Sequence, residues 1–156
     1  MAVMVIKELQ LNSKRKAKIH LKFNGPITAI GGNSSTGKTY LIERLLGERG
    51  IIGSKVVGLD KIVIIDETSI DYSSEDGLHQ SEQIIKNQLN DYTNKLIIID
   101  NADMLLPSIN ITEEDLQNSQ NQFLLFSRNG MAYGATVETL GQFYTKDNTI
   151  VTIYAV

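Results

Sequence analysis

The sequence contains no cysteine. Disulfides, thiol catalysis and cysteine-ligated metal or iron–sulfur centres are therefore excluded, which suits a reducing compartment and leads us to expect a cytoplasmic protein. No apolar run reaches membrane-spanning length, so no membrane role is expected. The opening residues Met1-Ala2-Val3-Met4-Val5-Ile6-Lys7-Glu8 lack a basic leader and a long apolar segment, and nothing in them reads as a signal peptide. Positive charge is not in excess: the formal net charge is -3, so the whole molecule is not an electrostatic binder of nucleic acid or anionic membrane. His20 is flanked by lysines and has no second histidine or acid at ligand spacing, which reads as a surface residue rather than a metal ligand. Repeats, low-complexity segments and breaks in composition are also missing. What is there is a chain of 156 residues, 42% hydrophobic and 21% charged. That is the mixture of a globular protein, and it is enough for one domain over 1–156 with a single sizeable core.

The chain is organised around Gly32-Asn33-Ser34-Ser35-Thr36-Gly37-Lys38-Thr39, which reads G-x-x-x-x-G-K-T, the phosphate-binding loop pattern. Its context is the one the motif needs. Ile27-Thr28-Ala29-Ile30 before it suits a buried strand, and Leu41, Ile42, Leu45 and Leu46 after it recur at helical spacing. Gly32 and Gly37 let the backbone turn where a Cβ would clash. The loop's N–H groups would then converge on an anion at the start of a helix. Lys38 is expected over the β- and γ-phosphates, with the Thr39 hydroxyl on Mg²⁺. Tyr40 would pack near the base.

Residues 3–11 and 17–23 alternate as two strands joined by a polar connector, an N-terminal hairpin. Its cluster Lys14, Arg15, Lys16, Lys18 and Lys22 either touches nucleic acid or forms a solvated hairpin tip. Two continuous apolar runs, 61–65 and 95–99, end in Asp66-Glu67 and Asp100-Asn101 and look like parallel strands buried on both faces. Between them Ser73 or Ser74 caps a helix, with Leu78, Ile85, Leu89 and Tyr92 as its apolar stripe and Ile84 widening it. Pro107 interrupts any helix beginning at Met104. Thr112 with Asp115 resembles a capping box opening a short helix to about Asn118. Residues 122–127 read as the next strand, and 137–144 with 149–155 as a C-terminal hairpin. Strands alternating with helices imply a mainly parallel sheet, with ligands at the carboxyl ends of its strands.

From Ile27 through Thr39 the chain resembles the Walker A region of P-loop NTPases, and among them the ATPase branch that holds the AAA, ABC and RecA-like families. The resemblance implies a three-layer α/β fold with a mainly parallel central sheet, and ATP with Mg²⁺ as ligands. An intervening strand and helix usually precede the Walker B acid in that branch, which favours Asp100 over Asp66 as the residue holding Mg²⁺ through water. In place of the glutamate that commonly follows, this chain has Asn101, whose amide cannot accept a proton from water. Asp103 and Glu67 are the substitutes, Glu67 being favoured because RecA-like ATPases carry the catalytic glutamate on an earlier strand. The bland alternative is that Asp66 and Glu67 only cap a turn. Arg128 stands near an AAA-like sensor position and would contact the γ-phosphate or reach a neighbouring subunit; otherwise it is a surface arginine.

An ABC signature-like S-G-G-Q run is missing, and so is an N-K-x-D motif, which argues against a GTPase. After Asp115 the basic residues are Arg128 and Lys146 alone, too few for the substrate pocket of a small-molecule kinase. The expectation is a minimal ATP-binding core, a slow Mg²⁺-dependent ATPase coupled to a protein partner or to a second copy of itself. The alternative is a nucleotide-sensing module that binds without hydrolysis.

Overall fold

The computed structural model describes residues 1–5, 8–12, 18–23, 25–31, 62–127, 136–139 and 150–154. The elements are β1 (Glu8–Asn12), β2 (Lys18–Lys22), β3 (Ile27–Gly31), β4 (Ile62–Ile65), α1 (Glu75–Asp91), β5 (Leu96–Ile99), α2 (Ala102–Ser108), α3 (Glu113–Asn118), β6 (Gln122–Ser127), β7 (Thr136–Thr139) and β8 (Ile150–Tyr154). Five strands form one sheet in the order β4-β5-β6-β3-β7, and every pairing in it is parallel. The fold is therefore α/β, with the parallel sheet that buried runs alternating with helices require. A second sheet has the order β1-β2-β8, β1 antiparallel to β2 and β8 parallel to it.

The sheet's central strands are largely apolar, with Thr28, Gln122 and Ser127 as buried polar exceptions. Ile97, Ile99, Phe123 and Leu125 pack in one cluster with Ile85 and Leu89 of α1, Leu105 and Leu106 of α2 and Leu116 of α3. The alternate residues Leu96, Ile98, Leu124 and Phe126 are buried as well, so neither face of β5 or β6 meets solvent. That is why these runs do not alternate with polar residues.

Ser74 caps α1, its hydroxyl accepting from the Gly77 N–H at 2.9 Å, with Glu75 and Asp76 in the first turn as the dipole favours. Ile85 and Leu89 are buried, and Leu78 and Tyr92 pack at the margin, but Ile84 points outward. The stripe is instead completed by polar Ser81 and Glu82. Ser81 Oγ donates to the Gly77 carbonyl and accepts from the Asp71 N–H, both at 2.9 Å, so a hydroxyl occupies a core position without an orphaned bond. A Cβ at Gly77 would lie 2.3 Å from the Asp71 carboxylate, so a larger residue there needs that exposed side chain to swing off its bonds from Ser73.

Three expectations are corrected. Residues 1–5 are not strand, although 3–5 belong to the strand expected over 3–11. Their N–H groups lie along the α3–β6 junction instead, Ala2 donating to the Gln117 carbonyl at 2.7 Å, Val3 to that of Asn121 at 3.1 Å and Val5 to Gln122 Oε1 at 2.9 Å. Helix α2 runs through Pro107 to Ser108. The proline sits in the last turn and is exposed, so the helix loses one bond rather than its course, and the Pro107 carbonyl still accepts from Asn110 at 3.3 Å. Third, the arms expected to form a C-terminal hairpin do not pair with each other: β7 extends the large sheet beside β3, and β8 joins β2. Alternation marks a segment as strand but does not say which open edge it completes.

Candidate functional site

The connections of the sheet locate its crevice. From β3 the chain leaves toward β4, three places away on one side; from β6 it leaves toward β7 on the other. Neighbouring strands whose connections depart in opposite directions open a crevice outside their carboxyl ends, where ligands of parallel sheets bind. Here that point lies between β3 and β6, at Gly31 and its register partner Ser127. The motif Gly32–Thr39 begins at the next residue. The motif itself, Tyr40, the helix expected after it, Arg128 and Lys14, Arg15 and Lys16 lie outside the described residues.

The same edge carries the acids. Register pairs Ile65 with Ile99 and Ile99 with Leu125, and the Asp100 N–H continues the ladder by donating to the Ile65 carbonyl at 2.9 Å. Asp66 and Glu67 thus stand beside Asp100 and Asn101 at adjacent strand ends. Their side chains are held differently. Asp66 is an N-cap: its carboxylate accepts from the Thr68 N–H at 3.0 Å and from the Thr68 hydroxyl, while its own N–H donates to Ser69 Oγ at 3.2 Å. Glu67 opens that 3-10 turn and is exposed. Asp100 is half-buried, and its Oδ1 accepts from the Asn101 N–H at 2.9 Å.

Asn101 turns the chain from β5 into α2 with φ 49° and ψ 42°. That left-handed conformation is one asparagine tolerates better than other residues with a Cβ. Its carbonyl accepts from Met104 and Leu105, at 3.0 and 2.8 Å. The side chain makes no cap bond to α2; its Nδ2 donates across to Glu67 Oε1 at 3.1 Å. Asp103 follows in the first turn of α2, with a buried Oδ1 that has no hydrogen-bond partner among the described residues.

The donor set at this edge is all oxygen, as a hard cation such as Mg²⁺ requires. Among the described residues no group of three or more His, Asp or Glu side chains could hold a metal alone. Mg²⁺ takes one or two protein carboxylates and fills the rest of its shell with phosphate and water. The orphaned Asp103 oxygen fits the same chemistry, since a buried acceptor without a partner calls for a ligand or water.

Two perturbed carboxyls lie away from this edge. A hydrogen bond from the Asn110 side chain holds Glu82 below the ordinary range against the opposing effect of burial, with Lys86 and His79 assisting. Side-chain and backbone bonds from Ser73 lower Asp71.

Sequence reasoning brought Asp66, Glu67, Asp100 and Asp103 forward, and the fold gathers their strand ends on one edge. It did not foresee that Asn101 faces Glu67. The signal was available: two apolar runs that pair as parallel neighbours, each ending two residues before the group in question. No family model matches the chain, and no curated protein sequence matches it.

Proposed function

We propose that this chain is an ATP-binding protein of P-loop type, a three-layer nucleotide-binding domain that hydrolyses ATP slowly with Mg²⁺ and couples turnover to a macromolecular partner. One observation carries the reading. A G-x-x-x-x-G-K-T sequence starts directly after β3, at the crevice between β3 and β6, on the edge where Asp100 and Glu67 also end their strands.

Strand spacing supports Asp100 over Asp66 as the metal's acid. With neighbouring strands about 4.8 Å apart, β5 lies about 10 Å from β3 and β4 about 14 Å, so Asp100 is the nearer acid to an ion on Thr39, while the longer Glu67 side chain meets Asn101 at the end of β5. Asp66 is further occupied in capping its own turn. In this reading Lys38 and the loop N–H groups of residues 32–39 hold the phosphates, Thr39 and Asp100 hold Mg²⁺, and Glu67 or Asp103 takes a proton from the attacking water. Bound Mg²⁺ supplies charge neutralisation on the phosphates. Arg128, next after β6, would face the γ-phosphate or a neighbouring subunit. Lys14, Arg15, Lys16 and Lys18 offer a contact for nucleic acid, and a protein partner or self-association is the other route for coupling. The absence of cysteine favours a cytoplasmic setting. Among the described residues, no helix is long and apolar enough to cross a membrane.

Asn101 favours a second reading, a sensing module that binds ATP without turning it over, because the position after Asp100 carries no base. The two are separated by phosphate release and ATP affinity in wild type and Glu67→Gln. The enzyme predicts turnover in wild type, lost with affinity kept in the variant. Negligible turnover in both, with tight binding, supports the module.

A further inference from the structure

We propose that Asn101 is a positioning residue that holds the Glu67 carboxylate for attack of water on ATP. This rests on the ATPase reading above and assigns a role to a residue that has no chemistry of its own in it.

Asn101 stands out first by what it does not do. It occupies the N-cap of α2, where an asparagine side chain ordinarily accepts from the helix's first N–H groups, yet it makes no such bond. Its backbone takes the left-handed conformation, and its amide donates to Glu67 Oε1 at 3.1 Å, across 34 residues of sequence. Glu67 is exposed on a short 3-10 turn, so its side chain would otherwise sample several rotamers. The bond ties it to the end of β5, the strand that carries Asp100. Carboxylate oxygens accept only, and an amide N–H₂ donates only. Fixing Oε1 therefore leaves Oε2 to accept the proton of a water. In the step itself the water oxygen bonds to the γ-phosphorus and the bridging bond to ADP breaks. One water proton passes to Glu67, and phosphate and ADP leave.

The test uses the full chain, with kcat and KM for Mg·ATP measured in wild type, Asn101→Gly, Asn101→Asp, Glu67→Gln and Glu67→Gln/Asn101→Gly. Glycine accepts the left-handed backbone freely, so Asn101→Gly removes the amide without straining the turn; Asn101→Asp keeps the shape and replaces the donor with a charge that repels Glu67. A urea midpoint for each variant checks that the fold is kept. Misplacing a reacting group by about 1 Å costs about 100-fold, so kcat should fall by about 10- to 100-fold in both variants, with KM within about two-fold of wild type. The double variant should be no slower than Glu67→Gln. An unchanged or raised kcat in Asn101→Gly, or losses that multiply in the double variant, overturns the assignment alone. A wild type without turnover overturns it together with the ATPase reading.

Discussion

Asn121 should be among the residues whose loss is most costly to the fold. It is fully buried between α3 and β6 and ties three segments together. Its Nδ2 donates to the Tyr92 carbonyl at 2.8 Å and to Ser119 Oγ at 2.7 Å, and its Oδ1 accepts from the Lys95 N–H at 3.0 Å. Ser119 Oγ in turn donates to the Leu89 carbonyl at 2.7 Å, so the network closes the end of α1 onto the start of β6. In Asn121→Ala the Lys95 N–H and the Tyr92 carbonyl both lose these partners at part-buried positions. At about 1–3 kcal/mol for each of the two lost bonds, the cost comes to about 2–6 kcal/mol, a large part of the 5–15 kcal/mol typical of a domain. Asn121→Asp separates the two halves of the bond. One oxygen still accepts from Lys95, but the other now faces the Tyr92 carbonyl with no proton between them. The neutral acid restores a donor, so the buried carboxyl should have a raised folded pKa. Its contribution is then present below the unfolded value of about 3.9 and lost as pH rises through the folded one. Urea unfolding followed by far-UV circular dichroism reads both effects. Asn121→Ala should lower the midpoint with its slope unchanged, and Asn121→Asp should be weaker still at pH 7 and recover toward acid pH. A cost under about 1 kcal/mol for alanine, or an aspartate variant insensitive to pH, would refute the reasoning.

Asp100→Asn should reduce kcat for Mg·ATP by about 100-fold or more if it holds the metal's water shell, since charge-directed groups at such sites typically contribute that much. Asp66→Ala should instead lower stability by about 0.5–2 kcal/mol, the range for a lost N-cap, and leave kcat within a few-fold; steady-state kinetics and urea midpoints on the two variants separate these roles. Glu82 makes the fold sensitive to acid. Its carboxyl is held below the ordinary value of 4.5, chiefly by Asn110, so its contribution is fully present above that value and is lost as pH falls through the lowered folded one. Glu82→Gln should therefore flatten the loss of stability below about pH 4.5, measured as urea midpoint against pH.

The sequence and the structure agree where a local pattern has one physical outcome. The runs 61–65 and 95–99 look like parallel strands buried on both faces, and they form β4 and β5; β5 is buried throughout, while Val63 and Ile64 of β4, at the sheet's edge, are only half-buried. Thr112 with Asp115 made a capping box as expected, since three residues of spacing settle that geometry. Where the outcome depends on distant partners, the pattern was silent. Ser81 and Glu82 look like the wet side of α1 and are buried, because Asp71, Gly77 and Asn110 lie where they can satisfy them. The residues of β7 and β8 read as strands, but their edges are chosen by the sheets that receive them. At the candidate site the acids were legible as strand-end residues. Asn101 read as a residue able to orient the attacking water but not to act as its base, and its bond to Glu67 was not legible because it depends on how β4 and β5 pair.

In the ATP-binding reading, residues 32–39 hold the phosphates of ATP. The most direct test is equilibrium binding of Mg·ATP to the full chain and to Lys38→Ala, with phosphate release followed on the same samples. Binding and turnover in wild type, both lost in Lys38→Ala while the urea midpoint is unchanged, are the predicted result. Wild type that binds no ATP, or a Lys38→Ala variant that binds as tightly as wild type, would contradict the account.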